Sequence, residues 1–289
     1  MEKNTPYIVC FGEVLWDVYP DGKKLGGAPF NVSAHVNKLG LKAHMVSKVG
    51  NDPYGEEIRK AMQTQGILTN YTQLDDILET GIVDVLLDEE GKPSYTIKIP
   101  VAWDDIHTND ENIALLKKSE AFVYGSLACR TNQSRVSLFE LASYSKLNIC
   151  DLNIRQTFFD KELITALLEI THILKINDEE AELLSEMFGL EAADFYKKLS
   201  EQFSLDIIIQ TLGANGAEAY SKGQLYATPG IKTNVVDTVG SGDSFLAAFI
   251  QHFLNGGNIS SCLEKGCELG AYVASQQGAI PEHPSKKIV

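Results

Sequence analysis

Apolar, β-branched runs alternate with amphipathic stretches along most of the chain. In the N-terminal part, the alternation predicts a strand at Tyr7–Phe11, a helix at Pro29–Leu39, a strand at Ala43–Val49 and a helix at Tyr54–Gln65. Further buried strands are predicted at Ala121–Tyr124, Leu147–Asp151, His172–Ile176 and Asp206–Gln210. Strands that alternate with helices of roughly 10–15 residues are typical of right-handed β-α-β units. The pattern predicts an α/β fold with a mainly parallel central sheet flanked by helices.

Two stretches, Glu13–Lys24 and Thr80–Ile99, break this alternation. The second contains two β-like runs joined by the turn-forming residues 88–93. A hairpin inserted into an α/β domain commonly projects from it. We therefore predict a small inserted β lid, built from about residues 13–24 and 80–105, over a site on the main domain.

Two helices, Ser244–Leu254 and Ser260–Ser275, are predicted near the C-terminus, where the alternation fades. No repeat or Pro/Ser-rich linker divides the sequence, so we expect a single domain over residues 1–289. Apolar residues make up 44% and charged residues 22%, as in ordinary globular proteins. Neither a leader-like segment nor an apolar run of membrane-spanning length is present, and we expect a cytoplasmic protein without a membrane partner.

The formal charge of −14 comes from 25 basic and 39 acidic side chains. Such a field repels polyanions, so no nucleic-acid partner is expected. A phosphate ligand would need local devices: backbone N–H groups, helix N-termini, a few placed cations and a divalent metal. The five cysteines are odd in number and scattered, which favours reduced, packed thiols over a metal site.

The most chemically suggestive run is Asp237-Thr-Val-Gly-Ser-Gly-Asp243, directly before a strongly helical segment. Small residues let a ligand approach the backbone, and a helix N-terminus directs unpaired N–H groups at it. Asp243 would lie beside this anion hole, where its carboxylate could accept a proton from an attacking alcohol. An Asp that merely caps a helix explains the residue types slightly better, taken alone.

A second glycine-rich run, Leu25-Gly-Gly-Ala-Pro-Phe-Asn31, also precedes a predicted helix. Gly27 would permit close contact with a ligand, and the Asn31 amide offers a donor and an acceptor to sugar hydroxyls. A tight turn feeding a helix is an equally good explanation of this run alone. In the following turn, Gly50-Asn-Asp-Pro-Tyr-Gly55, a structural capping role is favoured for Asp52.

Taken together and in this order, the three runs resemble the ribokinase-like (PfkB) family of sugar and nucleoside kinases, over essentially the whole chain. The resemblance implies a ribokinase-like fold with a β lid, in agreement with the strand alternation. It implies that Asp243 is the catalytic base. It also implies that the N–H groups of Gly240, Ser241 and Gly242 form the anion hole for the transferring phosphoryl group.

The same resemblance assigns the nucleotide side of the site. Asn177 and Glu180 match the family's Asn-x-x-Glu motif, which implies ATP with Mg²⁺ held through water at Glu180; without the resemblance they read as a capping box. The remaining nucleotide residues implied are Thr211, Gly213 and Gly278. Asp237 is a candidate ligand for a monovalent cation such as K⁺.

On the sugar side, Asp17 stands where relatives use an aspartate to bind two sugar hydroxyls, and an exposed structural Asp is the alternative. Arg155, in Asp151-Leu-Asn-Ile-Arg155, is similar to a residue of the fructokinase and ketodeoxygluconate-kinase branches; a structural salt bridge is its rival role. Three aromatic residues are candidates for closing over the sugar or for packing in the lid or an interface: Trp16, Trp103 and Tyr95.

The opening motifs look closest to those of bacterial fructokinases, which implies ATP-dependent phosphorylation of D-fructose. Ketodeoxygluconate would need extra positive charge for its carboxylate, and no added Arg/Lys cluster is evident near the motifs. A ketodeoxygluconate, ribose or nucleoside kinase of the same fold stays open, as does a catalytically silent sugar-binding regulator. A homodimer through the lid edge is a further hypothesis.

Overall fold

The computed structural model describes residues 6–20, 22–87 and 93–283. The strands of these ranges are β1 (Tyr7–Phe11), β2 (Leu15–Tyr19), β3 (Gly22–Gly26), β4 (Lys42–Gly50), β5 (Thr72–Asp75), β6 (Ile82–Leu87), β7 (Pro93–Ile97), β8 (Ala121–Gly125), β9 (Asn148–Asp151), β10 (Ile173–Asn177), β11 (Ile207–Thr211), β12 (Gly216–Ser221) and β13 (Gln224–Pro229). The helices are α1 (Ala28–Lys38), α2 (Pro53–Thr64), α3 (Asp110–Leu116), α4 (Asn132–Ala142), α5 (Lys161–Glu169), α6 (Asp178–Phe188), α7 (Phe195–Phe203), α8 (Ser241–Leu254) and α9 (Ile259–Ala274).

The main sheet has nine strands in the order β13-β12-β11-β10-β9-β8-β1-β4-β5. All neighbours from β11 to β5 pair in parallel, and β12 and β13 extend the sheet as an antiparallel hairpin. Helices cover both faces, so its central strands are buried on both sides and read as continuous apolar runs. The prediction of a mainly parallel sheet flanked by helices is confirmed.

Alternation along the strands divides the core between the two faces. On β1, Ile8 and Cys10 point to the face covered by α1, α2, α8 and α9. Val9 and Phe11 point to the opposite face, which α4 to α7 cover. Successive side chains of a strand alternate in direction, so every inner strand contributes to both cores. This packing holds the carboxyl ends of the parallel strands at one edge, where loops and helix starts converge.

A small sheet, in the order β3-β2-β6-β7, is separate from the main sheet. Both stretches that interrupted the alternation contribute to it, but its last strand ends at Ile97. Residues Ala102–Asp105 form a 3-10 turn of the main body instead, because Trp103 is completely buried there in the core. Trp103 therefore neither closes over a ligand nor forms an interface. Residues 88–92 of the predicted turn, and the Tyr95 side chain, lie outside what is described.

The small sheet docks on α2 through the side chains of β2 and β3. The Trp16 indole N–H donates to the Tyr54 carbonyl at 3.2 Å. The Lys23 ammonium lies 4.7 Å from the Trp16 ring centroid and 4.3 Å from that of Tyr54, and pairs with Glu57. This cation between two rings fixes one face of the small sheet to the main body. Trp16 thus faces α2.

A buried ion pair anchors the chain where it returns from the small sheet. The Arg130 Nε donates to Asp104 Oδ1 at 2.7 Å, and its Nη2 donates to Asp104 Oδ2 at 2.8 Å. The same Nη2 donates to the Lys98 carbonyl, and the guanidinium stacks 3.8 Å from the Trp103 ring centroid. Both charged side chains are fully enclosed. The two-pronged geometry makes this pair a rigid joint.

Replacing Arg130 by Met is expected to lower the free energy of unfolding by about 3–5 kcal/mol, because it leaves the Asp104 carboxylate buried without a counter-ion. Urea unfolding followed by circular dichroism measures the change. Lys60→Met is the matched control, since Lys60 pairs with Glu56 on the exposed face of α2, and it should leave stability almost unchanged. Equal effects of the two variants would contradict this role of Arg130.

Within the described ranges, no helix is both long enough and apolar enough to cross a membrane.

All five cysteines are buried and unpaired, and burial raises the pKa of the Cys129 thiol to about 12. A buried thiol that stays protonated is unreactive, which agrees with the predicted packing role.

Candidate active site

The glycine-rich run before α8 forms an open helix N-terminus. Gly240 adopts the left-handed conformation, with φ of 77°, and its carbonyl accepts from the Ser244 N–H at 2.9 Å. Glycine is favoured at such a position because it carries no Cβ. The N–H groups of Gly240, Gly242 and Asp243 find no protein acceptor in the described ranges. We call these three groups the open amides; together with the helix dipole they form a site for an anion.

The Ser241 N–H is not available to an anion, in contrast to its predicted role in the anion hole. Its N–H donates to the Thr238 carbonyl at 3.2 Å and closes the turn. Its hydroxyl donates to the Gly270 carbonyl on α9 at 3.0 Å. Ser241 therefore anchors the turn, and the Asp243 N–H takes the place that the sequence assigned to the Ser241 N–H.

Asp243 lies in the first turn of α8, half-buried beside the open amides. The Asn31 amide donates to its Oδ2 at 2.7 Å, which joins two motifs that are 212 residues apart. Burial, reinforced by the Asp151 carboxylate, raises the pKa of Asp243 to about 6, although Asn31, Lys175 and Arg155 lower it. The group is ionised at neutral pH but more basic than an ordinary aspartate, which suits a general base.

A buried ion pair lies beneath these residues. The Lys175 Nζ donates to Asp151 Oδ1 at 2.9 Å, and both side chains are almost completely enclosed. Lys175 also lies next to Gly242, because a Cβ built on Gly242 would be 3.2 Å from its Nζ. Burial acts to lower the pKa of Lys175, but the Asp151 and Glu180 carboxylates outweigh it and raise that pKa. A lysine inside a predicted buried strand was the sequence signal that could have found this residue.

Asn177 and Glu180 form a complete capping box at the start of α6. The Asn177 side chain accepts from the Glu180 N–H at 2.8 Å, and Glu180 Oε2 accepts from the Asn177 N–H at 2.9 Å. Glu180 Oε1 accepts from the Ile154 N–H, also at 2.8 Å. Asn177 and Glu180 therefore form the capping box that their residue types alone indicated. The carboxylate keeps free lone pairs, so this geometry is compatible with the predicted role near Mg²⁺.

Asp17 lies in β2 next to Trp16, with its side chain on the opposite face of the small sheet. It pairs in register with Lys24, whose ammonium reaches Asp237 Oδ2 at 3.5 Å. A Cβ built on Gly26 would lie 2.6 Å from Asp17 Oδ2, so the Asp17 carboxylate packs directly against the Gly26 backbone. Burial raises the pKa of Asp17 to about 6, while Arg155 and Lys24 lower it. Asp17 is thus a partly enclosed carboxylate between two cations.

Arg155 is exposed and has no ion-pair partner within 4 Å in the described part of the chain. The rival structural salt bridge is therefore not formed there. Its guanidinium lowers the pKa of three carboxyl groups, those of Glu13, Asp17 and Asp243. Arg155 accordingly lies within electrostatic reach of both Asp17 and Asp243.

Glu13 is a buried acid that the sequence reasoning did not single out. Its Oε1 accepts from the Ala28 N–H at 3.2 Å, and its Oε2 is buried without a protein partner in the described residues. Burial raises the pKa of Glu13 to about 7, and the Asp243 charge adds to the rise. Gly27 approaches it so closely that a Cβ there would meet the Glu13 carbonyl oxygen. Its sequence signal was a charged residue in the short connection between the apolar runs of β1 and β2.

The predicted nucleotide residues line the carboxyl edge of the sheet beyond α8. Thr211 ends β11, and its hydroxyl donates to the Ile176 carbonyl at 3.3 Å. Gly213 and Gly278 are left-handed, and a Cβ on either would meet open space. Asp237 accepts from the Gly278 N–H at 3.1 Å and from the Val239 N–H at 3.1 Å. Its carboxylate therefore shapes the loop, and its role toward a cation stays a prediction.

The structure brings some of the predicted residues into direct contact. Asn31 of α1 donates to Asp243 at 2.7 Å, Asn177 and Thr211 pair in register across β10 and β11, and Gly278 donates to Asp237. No cluster of three or more His, Cys, Asp or Glu residues that could hold a metal by itself occurs in the described ranges.

Known proteins resemble this chain over nearly its whole length. The model of the pfkB family of carbohydrate kinases matches residues 5–286. A probable fructokinase of Arabidopsis thaliana is 29% identical over 311 residues, which cover 98% of this chain and 95% of that protein.

Solved structures share the fold. A fructokinase of Xylella fastidiosa with bound ATP has a TM-score of 0.88 at 21% identity, covering 97% of this chain and 95% of its own. A fructokinase of Vibrio cholerae O395 with fructose, ADP and calcium bound has a TM-score of 0.82 at 21% identity, covering 96% and 95%. The fold, the order of the motifs and the family match agree: the chain belongs to the pfkB family of carbohydrate kinases.

Proposed function

We propose that this protein transfers the γ-phosphoryl group of ATP to a hydroxyl of D-fructose. The observation that carries the proposal is the first turn of α8, where the Asp243 carboxylate stands beside the open amides. A base and an anion site on one helical turn are what in-line transfer to an alcohol requires. Fold alone would not support this conclusion, because one fold serves many functions.

Each step can be placed on residues of this chain. Asp17 accepts hydrogen bonds from two sugar hydroxyls, and Asn31 fixes Asp243 with its carboxylate toward the sugar. Asp243 takes the proton as the hydroxyl oxygen bonds to the γ-phosphorus and the bond to the bridging oxygen of ADP breaks. The open amides stabilise the charge on the phosphoryl oxygens during transfer. The small sheet excludes water, so that ATP is not hydrolysed.

The donor set fits Mg²⁺ as a partner of the nucleotide. Mg²⁺ prefers oxygen ligands, keeps several waters and is usually bound by substrate phosphates with one or two carboxylates. Asp151 Oδ2 is buried without a protein partner, and the Glu180 carboxylate lies nearby with free lone pairs. These residues would hold the ion and its waters, and the bound ion would neutralise phosphate charge. A monovalent cation at Asp237 is part of the same proposal.

D-fructose is supported by the names of the relatives reported above, which are fructokinases, whereas the family match supports a carbohydrate kinase. Ketodeoxygluconate is the second candidate, and one observation favours it. Arg155 and Lys24 both lower the pKa of Asp17, so Lys24 adds a second cation to Arg155, the one that the motifs had already indicated. Such cations could receive a sugar carboxylate. The acceptor assay below decides between a neutral and an acidic sugar.

The test is ADP release with Mg·ATP and a panel of acceptors: fructose, ribose, ketodeoxygluconate, inosine and adenosine. We expect fructose to give the highest kcat/KM. A preference for ketodeoxygluconate would overturn the fructose assignment and keep the kinase. No turnover with any acceptor, together with sugar binding in calorimetry, would indicate the silent regulator instead.

Replacing Asp17 by Asn is expected to raise KM for the sugar by about 10- to 100-fold, since hydrogen bonds to a charged group contribute about 1.5–3 kcal/mol. KM for ATP should change little, because Asp17 belongs to the small sheet. Steady-state kinetics in both substrates measure the two values. A variant with an unchanged KM for the sugar would remove Asp17 from the sugar site.

Three further predictions, on location, domain organisation and oligomeric state, remain predictions. They are the cytoplasmic location, the single kinase domain over residues 1–289 and the homodimer through the edge of the small sheet. Sedimentation at micromolar concentration tests the dimer, and a monomer there would remove it.

A further inference from the structure

His35 is a buried histidine of α1 with two hydrogen bonds, and no motif accounts for it. Its Nε2 lies 2.9 Å from the Ala279 carbonyl oxygen, and its Nδ1 lies 2.9 Å from Nε2 of His283. A carbonyl only accepts, so His35 Nε2 carries the proton and donates to Ala279. His35 Nδ1 then accepts from His283, and the two ring planes are nearly parallel, with 5.2 Å between centroids. Burial lowers the pKa of His35 to about 4, which keeps the imidazole neutral.

The segment that His35 holds lies directly against the start of α8. A Cβ built on Gly240 would lie 2.6 Å from the Ala279 carbonyl oxygen and 2.7 Å from the Ala279 Cα. The N–H of Gly278 donates to Asp237 Oδ2 at 3.1 Å. Residues 278–283 therefore lie directly behind the turn that presents the open amides, and we call them the backing segment.

Helix α1 contacts both halves of the candidate site from one face. Asn31 donates to Asp243, and His35, four residues later, donates to the backing segment. Residues i and i+4 of a helix lie on the same side. One helix thus contacts Asp243 and the segment behind Gly240, which are three residues apart at the start of α8.

We propose that His35 is a positioning residue for the phosphate side of the active site: through Ala279 it fixes Gly240 and with it the open amides. The inference rests on the proposed function, because it assigns the open amides to nucleotide phosphates. His35 touches neither substrate. Its contribution is the placement of donors that must meet phosphoryl oxygens within a few tenths of an ångström.

A purely structural role makes a different prediction. If His35 only filled space in the core, an apolar side chain of similar size would lower stability and leave the kinetics of the folded enzyme unchanged. If His35 positions the backing segment, the same change leaves the Ala279 carbonyl without its donor and displaces Gly240. The effect must then fall on nucleotide binding more than on sugar binding.

The experiment compares His35→Leu with His35→Gln in the full chain. In His35→Leu we expect KM for ATP, and the Kd of ADP in calorimetry, to rise about 10-fold, the equivalent of one buried hydrogen bond. KM for fructose should change less than about twofold. His35→Gln keeps an N–H that can donate to Ala279, and it should recover most of the lost affinity.

His252→Leu is the matched control. His252, also in a helix, makes a 3.1 Å hydrogen bond to the Ser261 hydroxyl far along α8 from the open amides. It should lower thermal stability without changing the Kd of ADP. Wild-type ADP affinity in His35→Leu, equal rises in both KM values, or no recovery in His35→Gln would each overturn the proposal.

His283→Ala keeps the test decisive if His35→Leu does not fold. It removes the second partner of His35 at the end of the backing segment and leaves the core intact. We expect a rise of a few-fold in the Kd of ADP, and an unchanged Kd would count against the proposal. Calorimetry with ADP also separates the two ideas: a wild-type protein that binds ADP but phosphorylates no fructose refutes the proposed function alone.

Discussion

Asp243→Asn is expected to lower kcat by about 10²- to 10⁴-fold, the range that general acid–base catalysis supplies. The amide keeps the size of the side chain but cannot take the proton of the attacking hydroxyl. The open amides are backbone groups and stay in place, so ADP should bind with nearly unchanged Kd. Single-turnover kinetics and calorimetry measure the two quantities, and a near-normal kcat would refute Asp243 as the base.

The pH dependence gives the same prediction a second readout. Burial raises the pKa of Asp243 to about 6, and only the ionised form can accept a proton. In the wild type, kcat/KM should therefore rise with pH through about 6 and level off above it. The residual activity of Asp243→Asn should lack this limb. An identical limb in both proteins would assign it to another group.

Stability should move in the opposite direction from activity. Because the pKa of Asp243 is higher in the folded chain than in the unfolded one, its ionised form opposes folding at neutral pH. Asp243→Asn removes that charge, so its melting temperature should equal or exceed that of the wild type. Asp160→Asn is the control, since Asp160 caps α5 and Asn is an equally good cap. It should leave both kcat and stability unchanged.

The parallel half of the fold was predictable because buried strands and amphipathic helices have different periods. The predicted strand His172–Ile176 is observed as Ile173–Asn177, and the predicted helix Tyr54–Gln65 as Pro53–Thr64. The hairpin partner Gln224–Pro229 was missed. Its side chains are mostly exposed, and its pairing with β12 comes from tertiary contact rather than from an apolar run.

The site was predictable only as separate motifs. The sequence placed Asp243 and Asn31 in two different runs, and their 2.7 Å hydrogen bond required the fold. The residues that were missed share one property: Glu13, His35 and Lys175 are buried polar side chains that lie in mostly apolar stretches of the sequence. Their roles depend on partners distant in sequence, such as Ala279 for His35. A sequence pattern marks such residues as polar exceptions in an apolar stretch, but it does not identify the residues that they contact in the fold.

Lys175→Met should have the largest effect on stability among the site residues. Lys175 is the cation buried among Asp151, Glu180 and Asp243, and its loss leaves these acids without compensation. Removing one partner of a buried ion pair lowers the free energy of unfolding by about 3–5 kcal/mol. Urea unfolding measures the loss. A change below about 1 kcal/mol would mean that the pair is screened by solvent.

A double variant separates the ion pair from simple packing. In Lys175→Met/Asp151→Leu the paired charges are both gone, and buried ion pairs can often be replaced by apolar residues at little net loss. We expect the double variant to be more stable than Lys175→Met alone, which is a coupling energy of the two residues. Additive losses would show that each side chain acts by packing on its own.

The pH dependence of Lys175→Met tests whether Lys175 also lowers the pKa of the catalytic base, Asp243. Burial raises the pKa of Glu180 and of Asp243, and Lys175 lowers both. Without Lys175 both pKa values rise further, so the folded state binds protons more tightly than the unfolded state. The free energy of unfolding of the variant should then increase as the pH falls from about 8 to about 6. As the pH is lowered over the same range, kcat/KM of the variant should begin to fall at a higher pH than that of the wild type. The reason is that Asp243 in the variant is already protonated at that higher pH.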